Sequence, residues 1–318
     1  MQLYILKRLF MTILVLFLLT ILLSLLVHIV PGDPARKLLG PRATPELIAK
    51  IRAEMDLDKP VTVQVWNFIK NVLHGSFGDD VFSGRSIGDS IASVLPHTII
   101  LALSSVALSV VIGIPLGVFS ATHPGSWLDR FTAIISISFI IVPTYVSGLI
   151  LLRIFSVELG WLPVIGLGDE GDVWDYIKHL ILPTVALAIT WIGYLARLVR
   201  ASLLEVLNET YIRAAMASGL RERLILYKYA LKNALVPTVA VLGLGIGNLM
   251  GGALFIELIF ARPGMGRLIY RAVETRNFPT MRAGVLVVAF LFVVSNLLTD
   301  LVYTYLDPRI EFDSLRGR

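Results

Sequence analysis

The chain has 318 residues, of which 56% are hydrophobic and only 16% charged, and 28 Lys and Arg against 23 Asp and Glu leave a net charge of +5. Soluble domains carry about a quarter charged residues, so this deficit points to an all-α polytopic membrane protein and excludes disordered, coiled-coil and secreted-scaffold classes. The positive balance belongs to cytoplasmic loops rather than to a nucleic-acid surface. The absence of cysteine removes disulfides and thiolate chemistry.

A spanning helix needs about 20 apolar residues. Residues 9–30 meet this without a charge, and their length makes them an uncleaved span rather than a signal peptide. Residues 31–89 are too long for a bare connector. Their amphipathic stretches 45–55 and 63–73, broken by Pro31, Pro34, Pro41, Pro45 and Pro60, predict a small cap outside the membrane. Further spans are expected at 98–121, 131–152, 180–196, 233–256 and 283–299, which makes six in all. The loop 154–178 carries Glu158, Asp169, Glu170, Asp172 and Asp175 and reads as solvated surface. Between the fourth and fifth spans, 205–218 reads as a helix with a small-residue patch at Ala214, Ala215 and Ala217. It ends at Gly219, which suits a left-handed C′ position, and a second helix follows over 221–234.

Six spans with an inward N-terminus put both termini in the cytoplasm. Arg197, Arg200, Arg213, Arg221, Arg223, Lys228 and Lys232 then face inward, as positive-inside loops do. The short outer loop 257–282 runs against that rule, because it carries Arg262, Arg267, Arg271, Arg276 and Arg282. Gly243, Gly247 and Gly251 recur every four residues, as do Gly113 and Gly117, which permits close helix packing or a face lining a pathway. No Gly-Lys dipeptide exists, so there is no P-loop, and the five His residues lack metal-ligand spacing. Few charges fall inside spans, Asp300 and Glu257 being the candidates near span ends, which argues against an ion-coupled carrier. The energy source then lies outside this chain.

Tyr211, Arg213-Ala214-Ala215, Gly219-Leu220 and the run from Ala230 to Pro237 resemble the cytoplasmic loop of permease subunits of bacterial ABC importers of the dipeptide, oligopeptide and nickel type. Their general loop pattern is E-A-A-x3-G-x9-I-x-L-P. Here Arg213 replaces its Glu, as in the peptide-type branch. The resemblance covers nearly the whole chain. It includes Pro31-Gly32-Asp33-Pro34, Leu57-Asp58-Lys59-Pro60, Gly75 and Gly78, Trp161-Leu162-Pro163, Glu257 with Pro263-Gly264-Met265-Gly266, Asn296, Asp300 and Asp307-Pro308-Arg309. Arg276-Asn277-Phe278-Pro279 departs from it, since those permeases usually carry Arg-Asp-Tyr-Pro.

The resemblance implies a type I importer permease fold, divided into 1–30 (first span), 31–95 (extracytoplasmic cap or scoop) and 96–318 (core, with coupling loop 205–235). It also implies residence in the bacterial inner membrane. The expected partners are a second homologous permease, two ATP-binding subunits that hold ATP and Mg²⁺, and an extracytoplasmic solute-binding protein. The chain itself would be no enzyme and would hold no cofactor. Tyr211, Arg213, Ala214, Ala215, Gly219 and Leu220 are the expected contacts to an ATPase. Gly243, Gly247 and Gly251 are expected to serve packing or the pathway, and Pro263, Gly264 and Gly266 form an extracytoplasmic motif. Peptides or related small solutes are the expected cargo. An ion-coupled secondary carrier is the alternative.

Overall fold

The computed structural model describes residues 2–29, 33–40 and 43–306. Pro31, Gly32, Pro41 and the Asp307-Pro308-Arg309 motif lie outside the described residues, as does the side chain of Asp300. In chain order the helices are α1 (Gln2–Ile29), α2 (Pro34–Leu39), α3 (Pro45–Glu54), α4 (Val61–Leu73), α5 (Ile87–Thr122), α6 (Trp127–Ile141), α7 (Thr144–Leu151), α8 (Val173–Leu207), α9 (Thr210–Ala217), α10 (Glu222–Leu224), α11 (Leu231–Ala234), α12 (Val236–Ile259), α13 (Met265–Glu274) and α14 (Phe278–Leu306). Wide π-helical turns, Leu152–Glu158 and Ile225–Ala230, extend α7 and join α10 to α11. No strand occurs among the described residues.

Five helices are long and apolar enough to cross a membrane: Leu6–Ile29, Ile87–Thr122, Val173–Leu207, Val236–Ile259 and Phe278–Thr299. The pair Trp127–Ile141 and Thr144–Glu158 is bent by 105°, as a broken span or a re-entrant loop is, so the described residues give five crossings, or six if the pair forms one. The span expected at 131–152 is thus interrupted by a break at Val142–Pro143. Pro143 has no N–H and disfavours a helical residue before it, and Val142 is extended at φ −72°, ψ 121°.

The fourth span is also longer than expected. The Asp172 side chain accepts from the N–H groups of Trp174 and Asp175 and starts α8, which runs 35 residues with Pro183 inside it. Pro183 cannot donate to the carbonyl of His179, four residues earlier. The freed carbonyl accepts from Arg262 Nη1 at 3.0 Å. Arg197 and Arg200 thus lie on a helix rather than in a loop. The helix expected at 205–218 is broken at Asn208, which caps α8, and at extended Glu209 (φ −68°, ψ 148°), which starts α9.

The chain divides into two compact units. One holds everything up to Ile99 together with Pro263–Val293. There Ala35, Ile51 and Met55 close a small core under α2 and α3. Arg52 Nη2 donates to Asp33, the cap of α2, at 2.8 Å. Ile87 and Ile91 pack on Met265 and Ala283, and Leu23 packs on Ala272 and Met281. The loop before α5 is tied down by Asp80. Its Oδ1 accepts from Phe82 N–H at 3.0 Å, Ser83 N–H at 2.8 Å and Ser83 Oγ at 3.0 Å. Its Oδ2 accepts from Asn277 Nδ2 at 2.6 Å and Thr280 Oγ1 at 3.0 Å. Burial alone pushes this carboxyl up, but the bonds from Ser83, Thr280 and Phe82 outweigh it and hold Asp80 below the usual carboxylate range.

The other unit holds Ile100–Arg262 and the chain from Val294. Its core brings Leu101 of α5, Leu182, Ala186 and Leu187 of α8, and Leu249, Ala253 and Ile256 of α12 together with Phe260. Ser104 and Ser105 bond across to Thr184, and Ser109 to the carbonyl of Ala188. Buried hydroxyls in an apolar medium need such partners.

Candidate functional site

The stretch 205–235 folds as a short helical lever at the end of α8. Ile212 is the inward residue of α9 and is fully buried with Val118, Val199, Leu203, Ile225, Ala230 and Ala234. The outward face of α9 is bare. Tyr211, Arg213, Ala214 and Met216 are exposed and Ala215 half-buried, and exposure continues through Gly219 and Leu220. Arg213 Nη2 donates to the carbonyl of Asn208 at 2.9 Å, turning its guanidinium back over the α8–α9 break. Asn233 Nδ2 donates to Tyr211 Oη at 2.8 Å, tying α9 to α11.

Gly219 takes φ +76°, and a Cβ added there would meet nothing within 4 Å. Its glycine is required by backbone conformation and not by crowding. Through Met216, α9 borders a cavity of about 1,100 Å³ whose other walls include Phe119, His123, Leu220, Tyr227 and Leu231.

The glycines predicted in the fifth span do not share one role. A Cβ at Gly243 would overlap the Thr299 side chain of α14, and Ser295 Oγ donates to the Gly243 carbonyl at 3.3 Å. Gly247 is buried, whereas Gly251 is exposed with nothing within 4 Å of a Cβ. Gly245, not singled out from the sequence, lies against the Trp191 ring, where a Cβ would come within 2.6 Å. Gly113 and Gly117 face α8: a Cβ on Gly117 would sit 2.7 Å from the Ala196 carbonyl oxygen. Gly193 of α8 meets α6 the same way, 2.7 Å from the Ser136 carbonyl oxygen.

Pro263 and Gly264 precede α13, and Gly266 lies in its first turn. Gly264 is an extended N-cap, and the next N–H, that of Met265, donates to buried Thr98 Oγ1 at 2.8 Å. The sequence reading missed three polar features. Asp129 on α6 is buried and takes Nε of Arg200 at 2.7 Å and Nη2 at 2.9 Å, a bidentate pair joining α6 to α8. Arg262 is fully buried, its guanidinium 5.4 Å from the Tyr176 ring centroid. Burial pushes Arg262 down from its ordinary value, with Tyr176 and Glu257 opposing the shift. Arg282 stacks on Phe68 at 4.0 Å. Arg262 is thus held inside the fold, and Arg282 lies on α14 rather than in a loop. Asn296 leaves its Oδ1 without a hydrogen bond among the described residues.

Residues 113–312 match the family model described as binding-protein-dependent transport system inner membrane component, and residues 1–102 match that of its N-terminal region. The glutathione transport system permease protein GsiC of Escherichia coli strain K12 is 38% identical over 309 residues, spanning 97% of this chain and 99% of its own length. GsiC of Shigella dysenteriae matches to the same extent, with 38% identity over 309 residues. Among solved structures, the methionine ABC transporter MetNI in an inward-facing conformation superposes with a TM-score of 0.57 at 21% identity, over 69% of this chain and 96% of that one. An amino acid ABC transporter with histidines gives 0.53 at 16% identity, over 70% and 94%.

Proposed function

Because this chain belongs to the family of binding-protein-dependent transport system inner membrane components and is the multi-pass permease of a bacterial ABC importer, we propose that it forms half of the translocation pathway and is driven through the lever 205–235. A second homologous permease completes the pathway. Two ATPase subunits bind ATP and Mg²⁺ and dock on Tyr211, Arg213, Ala214, Ala215, Gly219 and Leu220. An extracytoplasmic binding protein delivers solute to the cap side, and both termini are cytoplasmic. By analogy with the glutathione permeases, the cargo is glutathione or a peptide of similar size.

The observation that carries this reading is the two-faced α9. Its inner face is anchored by Ile212 against α5 and α8, while its outer face is exposed and composed of small and amphipathic residues. A partner pushing on the outer face moves α8 through the anchored inner one. ATP binding elsewhere can then bias a two-state pore, provided that the partner binds the two states differently. The ion-coupled carrier has no observation in its favour.

The test is reconstitution of the complete transporter with Gly219→Val. A β-branched residue at positive φ costs about 1–2 kcal/mol without any clash to relieve. Insertion should survive, while solute-stimulated ATP hydrolysis and uptake fall together. Gly219→Asn, which tolerates the left-handed region, should retain both. Normal uptake and ATPase stimulation in Gly219→Val would remove the coupling assignment.

A further inference from the structure

The unit containing α1 and α4 holds a cavity of about 380 Å³ that is used by nothing described above. Its walls are Ile13 and Phe17 of α1, Phe68 and Val72 of α4, and Leu286 and Phe290 of α14. Thr20 also borders it, but its hydroxyl already donates to the Leu16 carbonyl at 2.8 Å. The lining offers no free hydrogen-bonding group to water or to a polar solute, so hydrocarbon is the chemistry that fits.

Two walls, α1 and α14, are themselves candidate membrane spans. The third, α4, turns Trp66 (68% exposed) away from the protein, as an interfacial amphipathic helix does, while Leu73 (81% exposed) stands at the rim of the hollow. The hollow therefore lies beside lipid and not beside water.

A charge lies against one of its walls. Arg282 is four residues before Leu286, one turn away on the same face of α14. Its guanidinium lies 4.0 Å from the ring of the wall residue Phe68, and its Nε has no hydrogen-bond partner among the described residues. Asp56, the carboxylate whose field reaches it, is engaged by Lys59 Nζ at 2.6 Å. Arg282 is also near the start of the span Phe278–Thr299, where a long cationic side chain reaches headgroup depth.

We propose that this groove is a phospholipid site: one acyl chain lies between α1, α4 and α14, and the lipid phosphate bonds to Arg282. The site rests on the membrane reading of the chain but not on its cargo or on the lever 205–235.

The experiment uses the complete transporter in nanodiscs of phosphatidylethanolamine and phosphatidylglycerol, the latter carrying a photoactivatable diazirine in its acyl chain. After illumination, label should concentrate on peptides holding Phe17, Phe68 and Leu286. Native mass spectrometry after detergent extraction should find one phospholipid retained per chain. Leu286→Trp and, from the opposite wall, Val72→Trp should each lower retention about tenfold, the effect of losing burial of roughly two methylenes. Arg282→Gln should lower it about fivefold while label stays in the groove. Val15→Trp, on an exposed face of α1, should leave retention unchanged. Label spread evenly over all spans, or equal retention in the wild type and both Trp variants, would reduce the lipid to ordinary bilayer contact and overturn the site. A disulfide from Leu73→Cys to a cysteine scanned through the second permease would also overturn it, by placing protein there.

Discussion

Asn277→Asp is the most informative single change at the Asp80 loop. In the wild type Asn277 donates to Asp80 Oδ2 at 2.6 Å. The variant sets two carboxyl oxygens at that contact. Two unit charges 4 Å apart repel by about 4 kcal/mol at an effective dielectric of 20. Asp80 is only half-buried, so solvent screening lowers the expected cost to about 1–2 kcal/mol at neutral pH. A shared proton removes the repulsion, so the variant's pair titrates above the ordinary carboxylate value. The pH dependence should therefore invert. Wild-type Asp80 is held below its unfolded value. Its contribution is present above about pH 4 and is lost as pH falls through the depressed folded value. In Asn277→Asp the loop should be weakest at pH 7.5 and recover toward pH 5. Hydrogen exchange at the amides of Asp80 and Ile87, which bond to the carbonyls of Arg85 and Gly78, reads this directly. Equal protection of both proteins at pH 7.5 would refute the reasoning.

Three further outcomes are expected. Arg200→Met strands the buried Asp129 carboxylate and should destabilise the purified chain by about 3 kcal/mol in thermal unfolding; adding Asp129→Asn should recover part of that loss, and an unaltered single variant would show the pair to be idle. Gly117→Leu forces a side chain into the backbone of α8 and should abolish monodisperse protein in mild detergent, whereas Gly251→Leu, at an open position, should behave as wild type. Pro143→Ala should relax the bent span, lengthening the distance between spin labels placed at Phe131→Cys and Val157→Cys in this cysteine-free chain; an unchanged distance would assign the bend to packing instead.

The apolar runs were readable because a bilayer demands unbroken length, and Gly219 was readable because a left-handed residue leaves a glycine in the sequence. Pro143 was equally visible, but it sits in a run so apolar that hydropathy carries the span straight through it. Arg197 and Arg200 were read as loop because charge normally marks the end of a span. The acid that lets α8 continue through Arg200, Asp129, is 71 residues away. Arg262 likewise looked like an outer-loop charge until its acceptor appeared, a carbonyl freed by Pro183 and distant in sequence. The glycine repeat gave a spacing without a neighbour: Gly243 meets Thr299, while Gly251 meets nothing. Local pattern shows where a face or a turn is; what fills it is decided by residues far along the chain.

The glycine contacts around α8 have a mechanical consequence. On one side Gly113 and Gly117 bring the backbone of α5 against Ile192, Ala196 and Val199; on the other, Gly193 lets α8 touch the backbone of α6. The Asp129–Arg200 pair then fastens α6 to α8 near the lever. Three rods bonded along their length resist bending far more than one rod does, as plywood outperforms its plies. A load arriving at α9 is thus passed on with little flexing of the stack. Compliance is concentrated at its two natural joints, the uncoiled step at Asn208–Glu209 and the corner at Val142–Pro143. A stroke only a few ångströms long at α9 would be delivered to those corners nearly undiminished.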